Sequence, residues 1–222
     1  MTEAEWLACT DPWKMLEFLH GKASDRKLRF FTRACLWRAW HQLDAWTRNL
    51  VEVSEQFDDG SMTKETLTVA RVLHRDVMQM NLPNPVLRIC ARIMDQLVWG
   101  AAWNAVSEIR SAIRANAFQA NASTESTGQT TLIREVFGNP CRPTSLDPAW
   151  LTWHGGTIRK LALSAYEDRE LPSGHLDTHH LAVLADALED AGCTDPDLLG
   201  HCRGPGPHVR GCWVIDLLLG RK

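Results

Sequence analysis

The residue types that bind transition metals are concentrated near the end of the chain. Five cysteines and histidines of this kind fall within twenty residues: Cys193, His201, Cys202, His208 and Cys212. Thiolate and imidazole are the ligands that zinc prefers. The spacing argues against a zinc site, because no two cysteines lie two to four residues apart and the adjacent His201 and Cys202 are expected to point in different directions. We therefore predict core packing and turn hydrogen bonds, with no bound metal or cofactor, and keep a metal site as the alternative.

The same segment offers candidates for anion binding. They flank a helix start predicted after the Gly/Pro-rich turn GPGP (residues 204–207), and they are Arg203, His208 and Arg210. A helix N-terminus presents free N–H groups and the positive end of the helix dipole to an anion. The turn is not a dinucleotide or Walker motif, because it follows no strand and lacks the required Gly and Lys spacing. The alternative that we favour is pairing of these arginines with nearby carboxylates, namely Asp186, Asp190 and Asp216.

Other polar residues give weaker indications of chemistry. His175, His179 and His180 cluster with Asp177, and we interpret them as surface histidines at a helix start. Cys141, next to an arginine, is the best candidate for a reactive thiol. The sequence contains no G-x-S-x-G and no H-E-x-x-H motif. We predict no catalytic residues and expect that the protein is not an enzyme.

Two apolar helical patterns position these side chains. Leu181, Leu184 and Leu188 recur at helical spacing, with Asp186, Glu189 and Asp190 turned outward. After the GPGP turn, we predict a helix from about residue 208 to residue 220, apolar almost all round and therefore buried. Its one carboxylate, Asp216, needs a partner, because an isolated buried charge is costly. The final forty residues are thus predicted to form a helical hairpin.

The remainder of the chain predicts an all-α protein. Capping signals at Thr2 and at Asp11-Pro12 predict two short helices, and a longer apolar period runs from Leu28 to Phe57. Further helices are predicted over residues 63–80 and 86–120. A Ser/Thr/Gly-rich stretch over residues 121–131 predicts a mobile linker. We therefore predict a multi-helix, bundle-like array, with an N-terminal helical region (1–120), a linker (121–131) and a C-terminal helical module (132–222).

The charge distribution and the cysteines indicate the cellular environment and the class of partner. The net charge is −3, with seven Lys/Arg and two Asp in residues 21–50, and nine Asp/Glu and one Arg in residues 166–200. Nucleic-acid binding through the basic helix over residues 22–48 is thus an alternative that we do not favour. The chain has seven cysteines, an odd number with no paired spacing, and its start does not resemble a leader, so we predict a cytoplasmic protein with reduced thiols. It has no apolar run of membrane length, so we predict no membrane contact.

Three segments carry a family resemblance. They are the opening MTEAEWLACTDPWKMLEFLHGKASDRKLRFF, the central LIREVFGNPCRP with LDPAWLTWHGGTIRKLA, and the closing LADALEDAGCTDPDLLGHCRGPGPHVRGCWVIDLLLG. Over residues 1–60 and 132–222 the chain resembles an uncharacterised bacterial family with many paralogues per genome. The closing motif is also similar to a short helical companion domain found beside repeat domains. The resemblance implies a recurring interaction module and supplies no catalytic residues.

These observations favour a non-catalytic protein–protein interaction or scaffolding module with an unknown protein partner. The predicted contact surface is either the acidic face carrying Asp186, Glu189 and Asp190, or a groove between the two helical regions. A metal- or anion-binding regulatory module that uses the His201–Cys212 turn is the first alternative, and nucleic-acid binding is the second.

Overall fold

The computed structural model describes three stretches of the chain and a few residues between the first two. The described residues are 1–38, 40, 45, 48–49, 51–52, 63, 65, 68, 122–170 and 173–221. The chain divides into two compact units, a C-terminal unit (residues 1–9 and 131–222) and a central unit (residues 10–130). Within the described stretches no helix is long and apolar enough to cross a membrane. The helices predicted over residues 63–80 and 86–120 lie almost entirely outside the described residues.

The fold is all-α, as the sequence predicts. The helices whose bounds lie within the described stretches are α1 (Glu3–Ala8), α2 (Pro12–Leu19), α3 (Asp25–Arg38), α4 (Ala122–Phe137), α5 (Pro148–Thr152), α6 (Thr157–Glu167), α7 (Thr178–Asp190), α8 (Pro196–Arg203) and α9 (Trp213–Leu219). A 3-10 turn (Trp153–Gly155) joins α5 to α6. Two strands of two residues each, β1 (Arg169–Glu170) and β2 (His175–Leu176), pair antiparallel with Arg169 opposite Leu176.

In the central unit, the helix start predicted at Asp11-Pro12 is confirmed. The Asp11 carboxylate accepts the Trp13 N–H at 3.0 Å, and Pro12 occupies the first position of α2. In α3, every residue from Phe30 to Trp37 is buried, which agrees with the wide apolar face that the sequence shows. Beyond Arg38, the long apolar period lies largely outside the described residues.

The predicted linker is wrong, since residues 122–131 belong to α4. Composition alone disfavours a helix there, but burial overrides it. Glu125 forms an ion pair with Arg38 at 2.9 Å, and Gln129 and Thr130 are fully buried. Ordered tertiary contacts of this kind outweigh weak intrinsic propensity. The polar side chains that suggested a mobile segment therefore lie on a packed helix.

In the C-terminal unit, α1 is held by Arg134 of α4. The Arg134 Nη2 donates to the carbonyl oxygens of Trp6, Leu7 and Cys9 at 2.9, 3.0 and 2.6 Å. These carbonyl groups lie at the end of α1, where the regular i+4 donors run out, and the Trp6 oxygen also accepts the Cys9 backbone N–H at 3.4 Å. Asn139 adds a bond from its side-chain amide to Glu3 at 2.8 Å. Residues 1–9 therefore group with the C-terminal unit, which differs from the boundary predicted at residue 120.

The C-terminal hairpin contains one helix more than the sequence predicted. The first predicted helix is confirmed as α7, with Leu181, Leu184 and Leu188 fully buried. The chain then forms α8, whose start signal is the Asp195 carboxylate accepting two backbone N–H groups at 2.9 and 3.3 Å. The Asp195-Pro196 pair in the sequence is the signal for this helix start.

The last helix begins five residues later than predicted. The predicted start at residue 208 is wrong because residues 208–212 are extended or turned, and α9 begins at Trp213. Val209 forms a β-bridge with His175, and the His208 carbonyl accepts the Leu176 N–H at 2.8 Å. These bonds to β2 take the backbone groups that a helix would use. The extended stretch turns the His208 side chain toward α4.

Candidate metal centre

Four side chains with metal-binding atoms converge inside the C-terminal unit. They are Glu135, His201, His208 and Cys212, whose ligand atoms all lie within 4.8 Å of one another. The shortest separations are His201 Nε2 to Cys212 Sγ at 3.2 Å, His208 Nδ1 to Glu135 Oε2 at 3.2 Å, and His201 Nε2 to Glu135 Oε2 at 3.3 Å. We call these four residues the 135/201/208/212 cluster.

Three different local structures bring the cluster together. His201 lies in the last turn of α8, and Cys212 is the residue before α9. His208 follows the GPGP turn, where Gly206 adopts φ +81°. A Cβ at Gly206 would lie 2.7 Å from the His208 backbone nitrogen, so only glycine fits this turn. The turn therefore directs the His208 imidazole back between α4 and α8.

Glu135 is the member that comes from outside the hairpin. It lies near the end of α4, three residues after the buried Leu132, and is itself only 4% exposed. A buried carboxylate close to the negative end of a helix dipole is unfavourable unless cations or N–H donors face it. Its Oε1 accepts the Val209 N–H at 3.2 Å, and its Oε2 faces the two imidazoles. Glu135 thus depends on the hairpin for its partners.

Burial and the charge of Glu135 shift the pKa values of two other residues in the cluster. Burial lowers the pKa of His208, but the hydrogen bond and the charge of Glu135, with a further bond to the Gly204 carbonyl, outweigh burial and raise this pKa above its ordinary value. Burial, and then the negative charge of Glu135, raise the pKa of the Cys212 thiol well above its usual range. In the absence of a metal ion, the cluster therefore favours a protonated imidazole and a protonated thiol around one carboxylate.

Three of the six separations between ligand atoms in the cluster are close to those of a tetrahedral zinc site. Zinc bonds of about 2.0–2.3 Å to oxygen, nitrogen and sulfur place neighbouring ligand atoms about 3.3–3.7 Å apart. The three shortest separations in the cluster, 3.2, 3.2 and 3.3 Å, approach this range without rearrangement of the backbone. Two imidazoles, one thiolate and one carboxylate favour zinc over magnesium or calcium, which prefer oxygen ligands alone.

The outer contacts of the two histidines differ. The His208 Nε2 lies 3.1 Å from the Gly204 carbonyl oxygen, which can only accept a hydrogen bond. This bond leaves Nδ1 directed into the cluster, the arrangement usual for a metal-bound histidine. His201 instead has its Nδ1 3.1 Å from the indole Nε1 of Trp213, which can only donate.

The sequence candidates for metal binding divide into two groups. His201, His208 and Cys212 enter the cluster, whereas Cys193 and Cys202 lie outside it and are buried. Burial, with the negative charge of Glu135, raises the pKa of Cys202 to about 12, as expected for an unreactive core thiol. The prediction that His201 and Cys202 point in different directions is confirmed. The spacing within the hairpin, which argued against a zinc site, leaves out Glu135 of α4, which joins His201, His208 and Cys212 in the structure.

The three candidates for anion binding face separate partners. Arg203 pairs with Asp186 at 2.8 Å and with Glu189 at 2.6 Å, which confirms the internal ion pairs that we favoured. His208 faces Glu135, and the Arg210 Nε donates to the Tyr166 carbonyl oxygen at 3.2 Å. Asp186 is thus the one of the three carboxylates named from the sequence that pairs with Arg203.

The remaining sequence candidates have the following places. His180 lies 3.7 Å from Asp168, and His175 belongs to β2. Cys141 is exposed, with its sulfur 3.8 Å from the Met1 carbonyl oxygen. Among the described cysteines all are free thiols.

The candidate interaction surfaces carry internal bonds. Asp186 and Glu189 are exposed but share Arg203, and Asp190 is exposed beside them. In the basic segment, Arg33 is fully buried against the Phe30 ring, and Arg38 pairs with Glu125. Trp37 is buried and stacks on Trp40 at 3.9 Å. These contacts reduce the surface available for nucleic acid.

A cleft of about 410 Å³ lies beside the cluster. Its apolar lining includes Trp6, Phe137 and Trp213, and its polar lining includes Arg142 and Asp197, which form an ion pair at 3.1 Å. His201 lines it as well, and at 17% side-chain exposure it is the most accessible member of the cluster. The cleft and the cluster therefore share one imidazole.

Comparison of the chain with protein-family models, with curated proteins and with solved structures found no match.

Proposed function

We propose that this protein is a zinc-binding helical module, in which one Zn²⁺ is bound by the 135/201/208/212 cluster. The observation that carries the proposal is the convergence of four ligand atoms of the types zinc prefers, all within 4.8 Å of one another. Metal binding is the first alternative that the sequence left open, and here it replaces the expectation that the sulfurs and imidazoles serve packing alone.

The proposed role of the ion is structural. Four protein ligands complete a tetrahedron, and zinc sites of that kind have no position left for a reacting water molecule. The ion would join Glu135 to His208, which are 73 residues apart in the sequence. Such a link holds α4 against the hairpin. Since zinc binds the folded state preferentially, occupancy adds to the free energy of unfolding.

Metal content and cobalt spectroscopy test this proposal. We expect protein purified without added metal to contain about one zinc per chain, removable by a strong chelator. Cobalt added to the metal-free protein should then give a thiolate-to-cobalt absorption band. Cys212→Ser should lose that band, whereas the matched control Cys193→Ser should keep it, since Cys193 is buried but outside the cluster. Absence of zinc and of the cobalt band in the wild type would refute the proposal.

A second proposal concerns the use of the zinc-bound unit. We propose that it acts in protein–protein interaction in the cytoplasm, as the sequence predicts, with the cleft as the contact surface. The supporting observation is an apolar lining of Trp6, Phe137 and Trp213 in a cleft of about 410 Å³, since aromatic side chains dominate binding energy at interfaces. The acidic face is less suitable because Arg203 already neutralises part of it.

Site-specific photo-crosslinking distinguishes the two surfaces. A crosslinker at Thr144, which lines the cleft, is expected to trap a partner, while one at Asp190 on the acidic face is expected to trap none. The opposite pattern would favour the acidic face and remove the cleft from the proposal.

A further inference from the structure

The contact between His201 and Trp213 fixes the position of a proton. The indole Nε1 lies 3.1 Å from the His201 Nδ1, with ring centroids 5.2 Å apart. An indole N–H can donate a hydrogen bond but cannot accept one, so Nδ1 is the acceptor. A neutral His201 then carries its proton on Nε2, the nitrogen that lies 3.2 Å from the Cys212 sulfur and 3.3 Å from the Glu135 carboxylate.

Metal binding requires the opposite arrangement. To bind an ion, the His201 Nε2 must present a lone pair, and the ring proton of the neutral imidazole then lies on Nδ1. The N–H of Trp213 would face the N–H of His201, and their hydrogen bond could not persist. His208 has no such conflict because its outer nitrogen faces the Gly204 carbonyl, which accepts. One histidine is thus arranged for the metal-bound form and the other for the metal-free form.

We infer that Trp213 is a positioning residue that opposes metal binding at the cluster and is released from His201 when the ion enters. This inference rests on the proposed function. Bonds from zinc to its ligands outweigh one neutral hydrogen bond, so the ion displaces the indole. The affinity measured for zinc is then lower than the cluster alone would provide, because binding includes the loss of the Trp213 hydrogen bond.

The surroundings of Trp213 allow this release. Its ring packs on Gly138, where a Cβ would lie 3.0 and 3.1 Å from two ring atoms, and φ at Gly138 is +65°. The side chain is half-buried and lines the cleft together with Glu3 and Asp197. An indole N–H that leaves His201 therefore faces a cleft with a partly polar lining, in which Glu3 and Asp197 also bond to Asn139 and Arg142. Zinc binding is in this way coupled to the lining of the cleft.

The zinc affinity of Trp213→Phe provides the first test. Phenylalanine keeps an aromatic ring on Gly138 but removes the N–H, so the hydrogen bond is no longer lost on binding. In competition with a chromophoric chelator, we expect Trp213→Phe to bind zinc about tenfold more tightly than the wild type, equivalent to about 1.4 kcal/mol. The matched control Trp153→Phe, half-buried in the 3-10 turn, should leave the affinity unchanged.

A merely structural role for Trp213 predicts the opposite sign, because truncation of a packed indole loosens a site. Equal or weaker zinc binding by Trp213→Phe would therefore overturn the inference while leaving the proposed function intact. A wild-type protein that binds no zinc would instead refute the proposed function, and this inference with it.

Nitrogen NMR of the wild-type protein gives a second test that needs no variant. Metal-free His201 is expected to show the tautomer protonated at Nε2. One equivalent of zinc should convert Nε2 to a metal-bound nitrogen and shift the Trp213 indole N–H resonance. A zinc-loaded protein in which both signals stay unchanged would contradict the inference, because His201 would then not bind the ion.

Discussion

Replacement of Glu135 by alanine tests the electrostatic argument about the cluster. Glu135 is 4% exposed and faces His208, which is 2% exposed, at 3.2 Å. Removal of one member of a buried ion pair leaves the other without compensation, and such changes cost about 3–5 kcal/mol. We expect the lower end, about 3 kcal/mol, because His208 can respond by losing its proton. For a chain of this length the melting temperature should fall by roughly 6–12 °C.

The decrease in the free energy of unfolding caused by Glu135→Ala should be larger at low pH than at high pH. In the folded state the hydrogen bond and charge of Glu135 outweigh burial and raise the pKa of His208 above the ordinary histidine value of about 6.5. The stability that this shift contributes is complete below about pH 6.5 and is lost as the pH rises through the folded-state value. In metal-free protein, the difference between wild type and Glu135→Ala should therefore be larger at pH 5.5 than at pH 8.5.

Urea unfolding in the presence of a chelator, at both pH values, measures this difference. The control is Glu167→Ala, which removes an exposed carboxylate of α6 in the same unit and should leave the unfolding midpoint unchanged. If Glu135→Ala destabilises the protein no more than this control, or equally at both pH values, the buried pair with His208 does not exist as described.

Three further predictions concern the same unit. Zinc affinity should weaken as the pH falls, because burial raises the pKa of the Cys212 thiol and that thiol must lose its proton to bind; calorimetry in two buffers of different ionisation enthalpy would show net proton release. Native protein should react with a thiol reagent at the exposed Cys141, while Cys202, whose pKa burial raises to about 12, should react only after unfolding; equal rates would contradict the buried assignment. Arg134→Ala should speed hydrogen exchange across α1, since three carbonyl oxygens lose their bond from the Arg134 guanidinium, while leaving exchange in α7 unchanged; unchanged exchange in α1 would contradict the role of Arg134 in holding this helix.

The sequence predicted the all-α fold well because local signals and burial agree at most helices. The capping box at Thr2 and the Asp-Pro pairs at Asp11 and Asp147 mark helix starts that the structure has. The apolar residues that recur at helical spacing in α7 likewise predict its buried face. Where the prediction was wrong, tertiary contacts decided. The start of α9 is delayed because residues 208 and 209 bond to β2 instead of continuing a helix.

Only part of the cluster could be predicted from the sequence. His201, His208 and Cys212 were recognised as ligand types, but no rule of spacing joins a helix end, a proline-rich turn and a helix start. Glu135 was missed because it lies 73 residues away from His208. The available signal was a carboxylate three residues after Leu132, on the buried side of α4. A charge on an apolar helix face requires a partner, and that partner could have been sought among the histidines.

The most direct test of the central claim is X-ray absorption spectroscopy at the zinc edge of the purified protein. The proposed site predicts one sulfur ligand at about 2.3 Å and three nitrogen or oxygen ligands at about 2.0–2.1 Å. The sulfur shell should disappear in Cys212→Ser and persist in Cys202→Ser. A spectrum with no sulfur ligand, or with two or more, would contradict binding by Glu135, His201, His208 and Cys212.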